Sequence, residues 1–306
     1  MKSRRVLITG GAGFIGSNLA RNLCRDNQVT ILDDLSSGSL ENLREILDQV
    51  NFIQGSIVKN DTLENIFRGM DVVVHLAAIA SVNQSIENPA LVNDVNITGT
   101  LNVLIAARNN KVKKFVFASS AAVYGNQISL PIKETAVLDP QSPYAVTKIT
   151  GEYYCDVFNK IFDLQTTCLR YFNVFGPKQN PNSHYSSVIS KFISLMSQDK
   201  QPTIFGDGTQ TRDFVFINDI VDATIKASES DLTGVFNVGS GSSTTINALA
   251  KDINLIMGKK LQPKIEEPKA GDIKHSLADI SKIKTLGFNP CFPIKKGLEE
   301  IIREIK

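Results

Sequence analysis

Along the first 120 residues of this 306-residue chain, apolar positions come in short continuous runs, not in strict alternation. The runs are Val6–Thr9, QVTILDDL (28–35), NFIQGSI (51–57), DVVVHLAA (71–78) and KFVFASS (114–120). Between them the apolar spacing is helical: through Phe14, Ile15, Leu19 and Leu23, then over about 40–49, 60–68 and 89–109. Runs apolar throughout predict strands buried on both faces, and their alternation with helices predicts a parallel sheet covered on both sides. The predicted class is α/β, a Rossmann-type doubly wound parallel sheet. In such sheets ligands sit beyond the carboxyl ends of the strands. Here those ends carry small or polar residues: Ser56, Ala77, Ala78, Ser119 and Ser120.

After LRYFNVFGP (169–177) the alternation weakens. The expectation is a first domain over 1–172 and a smaller C-terminal α/β substrate domain over 173–306, with part of 203–235 able to return to the first. FNVGSGSSTTINALA (236–250) reads as strand, glycine/serine loop and helix capped by Ser or Thr. No repeat, low-complexity stretch or linker interrupts the chain.

Composition narrows the function classes. Hydrophobic content of 42% and charged content of 21% are those of an ordinary globular protein, and a net charge of +2 gives no reason to expect a nucleic-acid or membrane-surface partner. Four scattered cysteines (24, 155, 168, 291) with no CxxC, and three histidines with no HxxxH pair, predict no metal. A strand-like run begins within six residues of Met1, and no apolar run approaches the ~20 residues of a membrane span, so the expected location is cytoplasmic.

The first strand leads into TGGAGFIG, where Gly11-Gly13-Gly16 (GxGxxG) overlaps Gly10-Gly13-Gly16 (GxxGxxG). Without Cβ atoms the backbone can approach a pyrophosphate lying at the helix N-terminus. Asp33 and Asp34 end the second strand about twenty residues on, where an acid accepts hydrogen bonds from an adenosine ribose and repels a 2′-phosphate. This favours NAD over NADP. Asn96, in the helical stretch 89–109, is either a surface residue or an amide pointing into the cofactor cleft.

SPYAVTK (142–148) supplies candidate chemistry. Ser142 is a fitting N-cap and Pro143 suits a first helical turn, so Tyr144 and Lys148 fall one turn apart on one face. An ammonium favours ionisation of a neighbouring phenol, which is how a tyrosine base is built.

Taken together, TGGAGFIG, HLAA, SSAAVYG, YAVTK and LRYFNVFGP resemble the extended short-chain dehydrogenase/reductase family, and within it the NAD-dependent nucleotide-sugar 4-epimerases. The resemblance runs from Val6 to about residue 300. It implies that Tyr144 is the base, Lys148 its cationic partner and ribose ligand, and Ser120 the hydroxyl sharing the substrate proton. Tyrosinate would take the proton of the sugar 4-hydroxyl, C4 hydride would pass to NAD, and the 4-keto sugar would turn over and be reduced on its other face. The cofactor would lie against Gly10, Gly13, Phe14, Ile15 and Gly16, then Asp33, Asp34, Ser37 and Gly38. Further along, Ser56, Ile57, Leu76, Ala77, Ala78, Asn96, Ser119 and Tyr171 would join Tyr144 and Lys148 around it. Ser56 stands where relatives commonly carry an Asp against the adenine, which implies a weaker contact.

For a UDP-sugar substrate the resemblance implies Asn173 and Arg212 at the diphosphate, Asp272 at the uridine ribose and Lys269 in place of the usual phosphate-binding arginine. Ser276 occupies a position where glucose-restricted relatives carry a bulky side chain, which leaves room for an N-acetyl group. Ala121 and Ala122 stand where 4,6-dehydratases and decarboxylases have an acid, which favours epimerisation. A UDP-uronate epimerase and a non-catalytic dinucleotide-binding sensor are the other readings; the sensor predicts damage to Ser120, Tyr144 or Lys148, and all three are intact. Apolar residues on 89–109 and 143–161 fit the family's four-helix homodimer interface.

Overall fold

The computed structural model describes residues 1–59, 63–179, 187–268 and 273–305. Six strands alternate with helices in the first half: β1 (Arg5–Thr9), α1 (Phe14–Leu23), β2 (Gln28–Asp33), β3 (Val50–Gln54), α2 (Leu63–Phe67), β4 (Val72–His75), α3 (Val82–Glu87), α4 (Pro89–Asn93), α5 (Gly99–Asn109), β5 (Lys114–Ser120), α6 (Pro143–Phe162) and β6 (Gln165–Tyr171). The second half adds β7 (Asn173–Phe175), α7 (Val188–Ser197), β8 (Thr203–Phe205), β9 (Thr211–Arg212), β10 (Phe214–Phe216), α8 (Ile217–Glu229), β11 (Gly234–Val238), β12 (Thr244–Thr245), α9 (Ile246–Met257), β13 (Lys264–Glu266) and α10 (Ile294–Ile305).

The main sheet has seven parallel strands in the order β11-β6-β5-β4-β1-β2-β3. Strand order reverses between β1 and β4, which opens the crevice for a ligand there. Each strand buries alternate residues on opposite faces. Val6, Ile8, Val72, Val74 and Val116 join one apolar layer with α1 and α8; Leu7, Val73, Phe115 and Phe117 join the other with α5 and α6. Both faces being covered explains the near-continuous apolar runs.

Element boundaries differ from the sequence expectation where turn chemistry intervenes. The 28–35 strand stops at Asp33, since Leu35 has φ of 61°. The helix expected at 40–49 is a short 3₁₀ turn, Leu40–Ile46, capped by the Ser39 hydroxyl. The 51–57 and 71–78 strands shrink to Val50–Gln54 and Val72–His75, because their carboxyl ends become site loops. Helix 89–109 contains a π turn at Asp94–Thr98. That run, at mean hydropathy 1.3, has the length and composition of a membrane span, contrary to the sequence reading. Here Val103, Leu104, Ala106 and Ala107 pack its inner face into the core.

The last third does not stay apart. α8 packs on α1, and β11 completes the main sheet beside β6. Three two-stranded pieces, β7 with β10, β9 with β12 and β8 with β13, build the rest of the C-terminal part with α7, α9 and α10.

Candidate active site

Helix α6 begins as its sequence dictates: the Ser142 hydroxyl accepts from Ala145 N–H at 3.2 Å, and Pro143 fills the first turn. Tyr144 and Lys148 then lie on the buried face, 8% and 5% exposed. Lys148 Nζ donates to the Ala118 carbonyl at 2.8 Å and stands 5.8 Å from the Tyr144 ring centre and 5.0 Å from that of Phe117. Burial pushes its ammonium pKa down to about 8, against the opposing pull of Glu152. Ser120 ends β5, half-buried, its oxygen accepting from Ala122 N–H at 3.2 Å. Base candidate, lysine and hydroxyl therefore stand around the end of one strand, beside the crevice.

The glycine turn passes a test as a dinucleotide cradle. Gly10 has φ of 71°, and a Cβ there would lie 2.7 Å from Ala77 N. A Cβ at Gly11 would strike Ile31 at 2.6 Å, and at Gly16 the Gly10 carbonyl at 2.3 Å. Gly13 differs: its φ is −76°, and only the Gly10 carbonyl, at 3.2 Å, comes near its Cβ position. Packing explains the first three glycines, whereas the open side of Gly13 suits the close approach of a ligand. It caps α1 with no side-chain hydrogen bond, and the first-turn N–H groups of Phe14 and Ile15 have no intrahelical partner to satisfy them. An anion fits there.

Asp33, buried at the end of β2, accepts from Ala12 and Leu35 N–H at 2.9 and 2.8 Å. Burial pushes its carboxyl pKa up, while those two bonds oppose the shift. Asp34 is exposed, with one oxygen on Ser36 N–H. Ser37 and Gly38 follow, and Gly38 lies so close to Ala12 that a Cβ would meet it at 2.9 Å. Across the crevice, Ser56 accepts from Val58 N–H at 3.3 Å, and Asn102 holds the Ile57 and Val58 carbonyls. Leu76 N–H donates to Thr9 O, which sets Leu76, Ala77 and Ala78 against the glycine turn.

Three residues assigned to the cofactor turn elsewhere. Asn96 sits in the π turn, 2% exposed, accepting from Ile79 N–H and donating to Ile79 O and Thr147 Oγ1. Its amide ties the loop after β4 to α6, so it shapes the cleft without pointing into it. The Tyr171 hydroxyl is buried on Thr224 at 2.8 Å in the layer beneath α8, and burial pushes its pKa up. Ser119 turns its hydroxyl away from the cleft and donates to Glu152.

In the C-terminal part, Asn173 opens β7, half-buried, with a carboxamide that makes no hydrogen bond among the described residues. Its N–H donates to Asp213 O, and the neighbouring Arg212 is half-buried with Nη1 on Thr211 O at 2.9 Å. Ser276 is 7% exposed, and its N–H donates to Thr211 O. Asn173, Arg212 and Ser276 thus converge through β9 and β10. Lys269 and Asp272 lie outside the described residues.

Sequence reasoning missed the groups that hold this arrangement. Asp213, fully buried, accepts from Ser240 N–H and Oγ, Gly241 N–H and Ala278 N–H, locking the segments beside Arg212 and Ser276. Its only sequence signal is the Arg–Asp pair, which also fits a surface turn. Arg170 grips Glu152 through Nε and Nη2 at 2.8 and 2.6 Å and reaches Tyr124 Oη at 2.8 Å, while Tyr124 donates to Asn237. Glu152 follows Lys148 by one turn, a spacing that could have exposed it. His75, buried between Thr9 and Thr100, is pushed down to about 3 by burial and by Lys148, and stays neutral. Among the described residues no group of three His, Cys, Asp or Glu converges on a point.

This is the crevice of a dinucleotide enzyme. Residues 6–239 match the NAD dependent epimerase/dehydratase family, and the chain belongs to it, with NAD as its cofactor. It is similar to a solved UDP-N-acetylglucosamine 4-epimerase from Methanobrevibacter ruminantium M1, in complex with UDP-N-acetylmuramic acid: 43% identity, TM-score 0.97, covering 100% of this chain and 99% of that one. It is 36% identical to the UDP-glucose 4-epimerase of Mycolicibacterium smegmatis over 97% of each chain. A UDP-glucuronic acid 4-epimerase from Bacillus cereus, in complex with UDP-glucuronic acid and NAD, matches at 34% identity and TM-score 0.91, covering 99% of this chain and 100% of that one. Within its family the chain therefore groups with UDP-sugar 4-epimerases.

Proposed function

We propose that this protein interconverts UDP-hexoses epimeric at C4: UDP-N-acetylglucosamine with UDP-N-acetylgalactosamine, and also UDP-glucose with UDP-galactose. The observation that carries the proposal is the junction of α6 with the end of β5, where Lys148 stands 5.8 Å from the Tyr144 ring centre and bonds the Ala118 carbonyl, two residues before Ser120. Tyr144 takes the proton of the sugar 4-hydroxyl, and Ser120 shares that proton. Lys148 supplies the positive charge that favours tyrosinate. NAD, held by Gly13 and the start of α1 with Asp33 and Asp34 at its ribose, supplies hydride acceptance and return at C4, so no net redox occurs.

In this reading residues 1–172, with the returning α8 and β11, hold the dinucleotide, and most of 173–306 holds the UDP-sugar. Asn173 and Arg212 take the diphosphate, with Lys269 and Asp272 expected beside them. The small Ser276 side chain supports a pocket open to an N-acetyl group. Val146, Tyr153, Val157 and Ile161 form an exposed apolar line along α6, beside exposed Ile86 on α3 and Leu91 on α4. Such a patch supports a homodimer joined through these helices.

Proton NMR tests the reading on purified protein given UDP-N-acetylglucosamine, UDP-glucose or UDP-glucuronate, with NAD. New anomeric signals from the first two are the expected result. Conversion of UDP-glucuronate alone would reassign the substrate, and turnover of none with NAD bound would sink the assignment.

A further inference from the structure

Glu152 lies one turn beyond Lys148 on α6 and is 4% exposed. Its Oε1 accepts from Ser119 Oγ and Arg170 Nε, and its Oε2 from Arg170 Nη2. Lys148 and Glu152 thus bind successive residues of β5, Ala118 and Ser119, just before Ser120. The groups around the Lys148 ammonium can be named. On α6 these are Tyr144, Glu152 and Cys155. From β4 comes His75, which is neutral. From β5 come the Ala118 carbonyl and the Phe117 ring. Behind these, β6 supplies Cys168, whose thiol meets that of Cys155, and Arg170, bound to Glu152. Glu152 is the one carboxylate among them.

We propose that Glu152 is a positioning residue that keeps the shared proton of the Tyr144–Lys148 pair on the lysine, leaving the Tyr144 oxygen as the base. The inference rests on the base role proposed for Tyr144. Ionised tyrosine with protonated lysine, and neutral tyrosine with neutral lysine, hold the same number of protons. Moving the proton from Tyr144 Oη to Lys148 Nζ creates a buried ammonium, and burial opposes it. A carboxylate one turn away favours it, and the two Arg170 hydrogen bonds fix that carboxylate in place. Ser119 adds the hydrogen bond that ties the same carboxylate to the strand bearing Ser120.

The test uses NAD-loaded protein without sugar. Tyrosinate is read by ultraviolet difference spectra between each protein and its Tyr144→Phe counterpart across pH. The variants are Glu152→Gln and the double Glu152→Gln/Arg170→Gln, which removes the buried arginine charge together with its partner and so protects the fold. Asp219→Asn, which weakens bonds to Cys291 and Phe292 far from α6, controls for lost stability. The expected result is about tenfold less tyrosinate at neutral pH and a midpoint about one unit higher in both Glu152 variants, with Asp219→Asn unmoved. With a UDP-sugar that turns over, the acid limb of kcat moves up by the same amount and KM holds. A tyrosinate curve unchanged in the Glu152 variants, or shifted equally by Asp219→Asn, overturns the inference. The absorbance needs no substrate, so absence of turnover would count against the proposed function alone.

Discussion

Lys148 Nζ sits 2.8 Å from the carbonyl oxygen of Ala118, which locks the helix residue one turn past Tyr144 to the strand that ends in Ser120. This bond gives the lysine a structural task besides its charge. Two substitutions separate them. Tyr144→Phe should lower kcat by roughly 10²–10⁴, the range for a lost acid–base group, while leaving bound NAD and Tm near the parent values. Lys148→Met should lose as much activity, loosen the strand end and also release NAD, because its ammonium is expected at the ribose. NAD retained through gel filtration, read beside turnover by NMR, distinguishes the two.

The four glycines of the first turn should not respond alike. Gly13→Ala meets only one carbonyl, at 3.2 Å, so it should fold with a Tm within a few degrees of the parent and bind NAD at least tenfold more weakly. Gly16→Ala would force a Cβ to 2.3 Å from the Gly10 carbonyl, a clash with backbone that no side-chain movement relieves. That variant should lose stability first. Equal losses of Tm would remove the argument that Gly13 is kept bare for a ligand.

Lys114 gives a pH prediction at the opposite end of the sheet. It is 4% exposed, donates to Leu232 O at 2.8 Å, and burial pushes its pKa from 10.5 to about 8. Between these values the unfolded chain binds the proton that the folded chain has released, so stability rises with pH there. Below about 8 both states are protonated and the contribution is flat. The stability of the parent minus that of Lys114→Met should grow by about 1 kcal/mol per pH unit across the window. Urea melts at pH 7, 8, 9 and 10 measure it, and a difference constant across all four would contradict the assignment.

Much of this was legible in the sequence, for physical reasons that differ by element. Val6–Thr9 and Lys114–Ser120 were readable because strands buried on both faces must be apolar throughout. Helix α6 was readable from Ser142-Pro143, and Tyr144 with Lys148 followed from one turn of spacing. Asn96 and Tyr171 misled because sequence gives a residue's place on an element but not its partner. The amide of Asn96 was claimed by Ile79 and Thr147, and the hydroxyl of Tyr171 by Thr224. Asp213 and Arg170 escaped notice because their partners lie on other elements, Ser240 and Ala278 for the first and Glu152 for the second. Buried charges are settled by such long-range contacts, which leave no local pattern.

Ser276 offers a test of pocket size. Its side chain is small, nearly buried and one residue from Leu277, whose carbonyl accepts from Ile132 N–H. Ser276→Tyr should fill the space assigned to the C2 substituent. Turnover of UDP-N-acetylglucosamine should fall at least tenfold relative to UDP-glucose, compared as kcat/KM, since a bulky group is rejected by overlap. Equal losses for both sugars would put the C2 substituent elsewhere.

The α6 surface predicts the assembly. Val146, Tyr153, Val157 and Ile161 are 46%, 63%, 42% and 67% exposed, and their spacings of seven, four and four place them along one stripe of the helix. A stripe this apolar on a water-facing helix is costly unless a partner covers it. Two copies meeting about a two-fold axis would pair α6 with α6 and bring α3 and α4 alongside. The opposite face of the same helix carries Tyr144 and Lys148, so the interface would brace the catalytic helix from behind. A Tyr153→Glu/Ile161→Glu variant should elute as a monomer in gel filtration with light scattering, where the parent elutes as a dimer. Activity should fall with dissociation and recover in part at high protein concentration. A parent that is itself monomeric at all concentrations would leave this stripe without the second copy inferred for it.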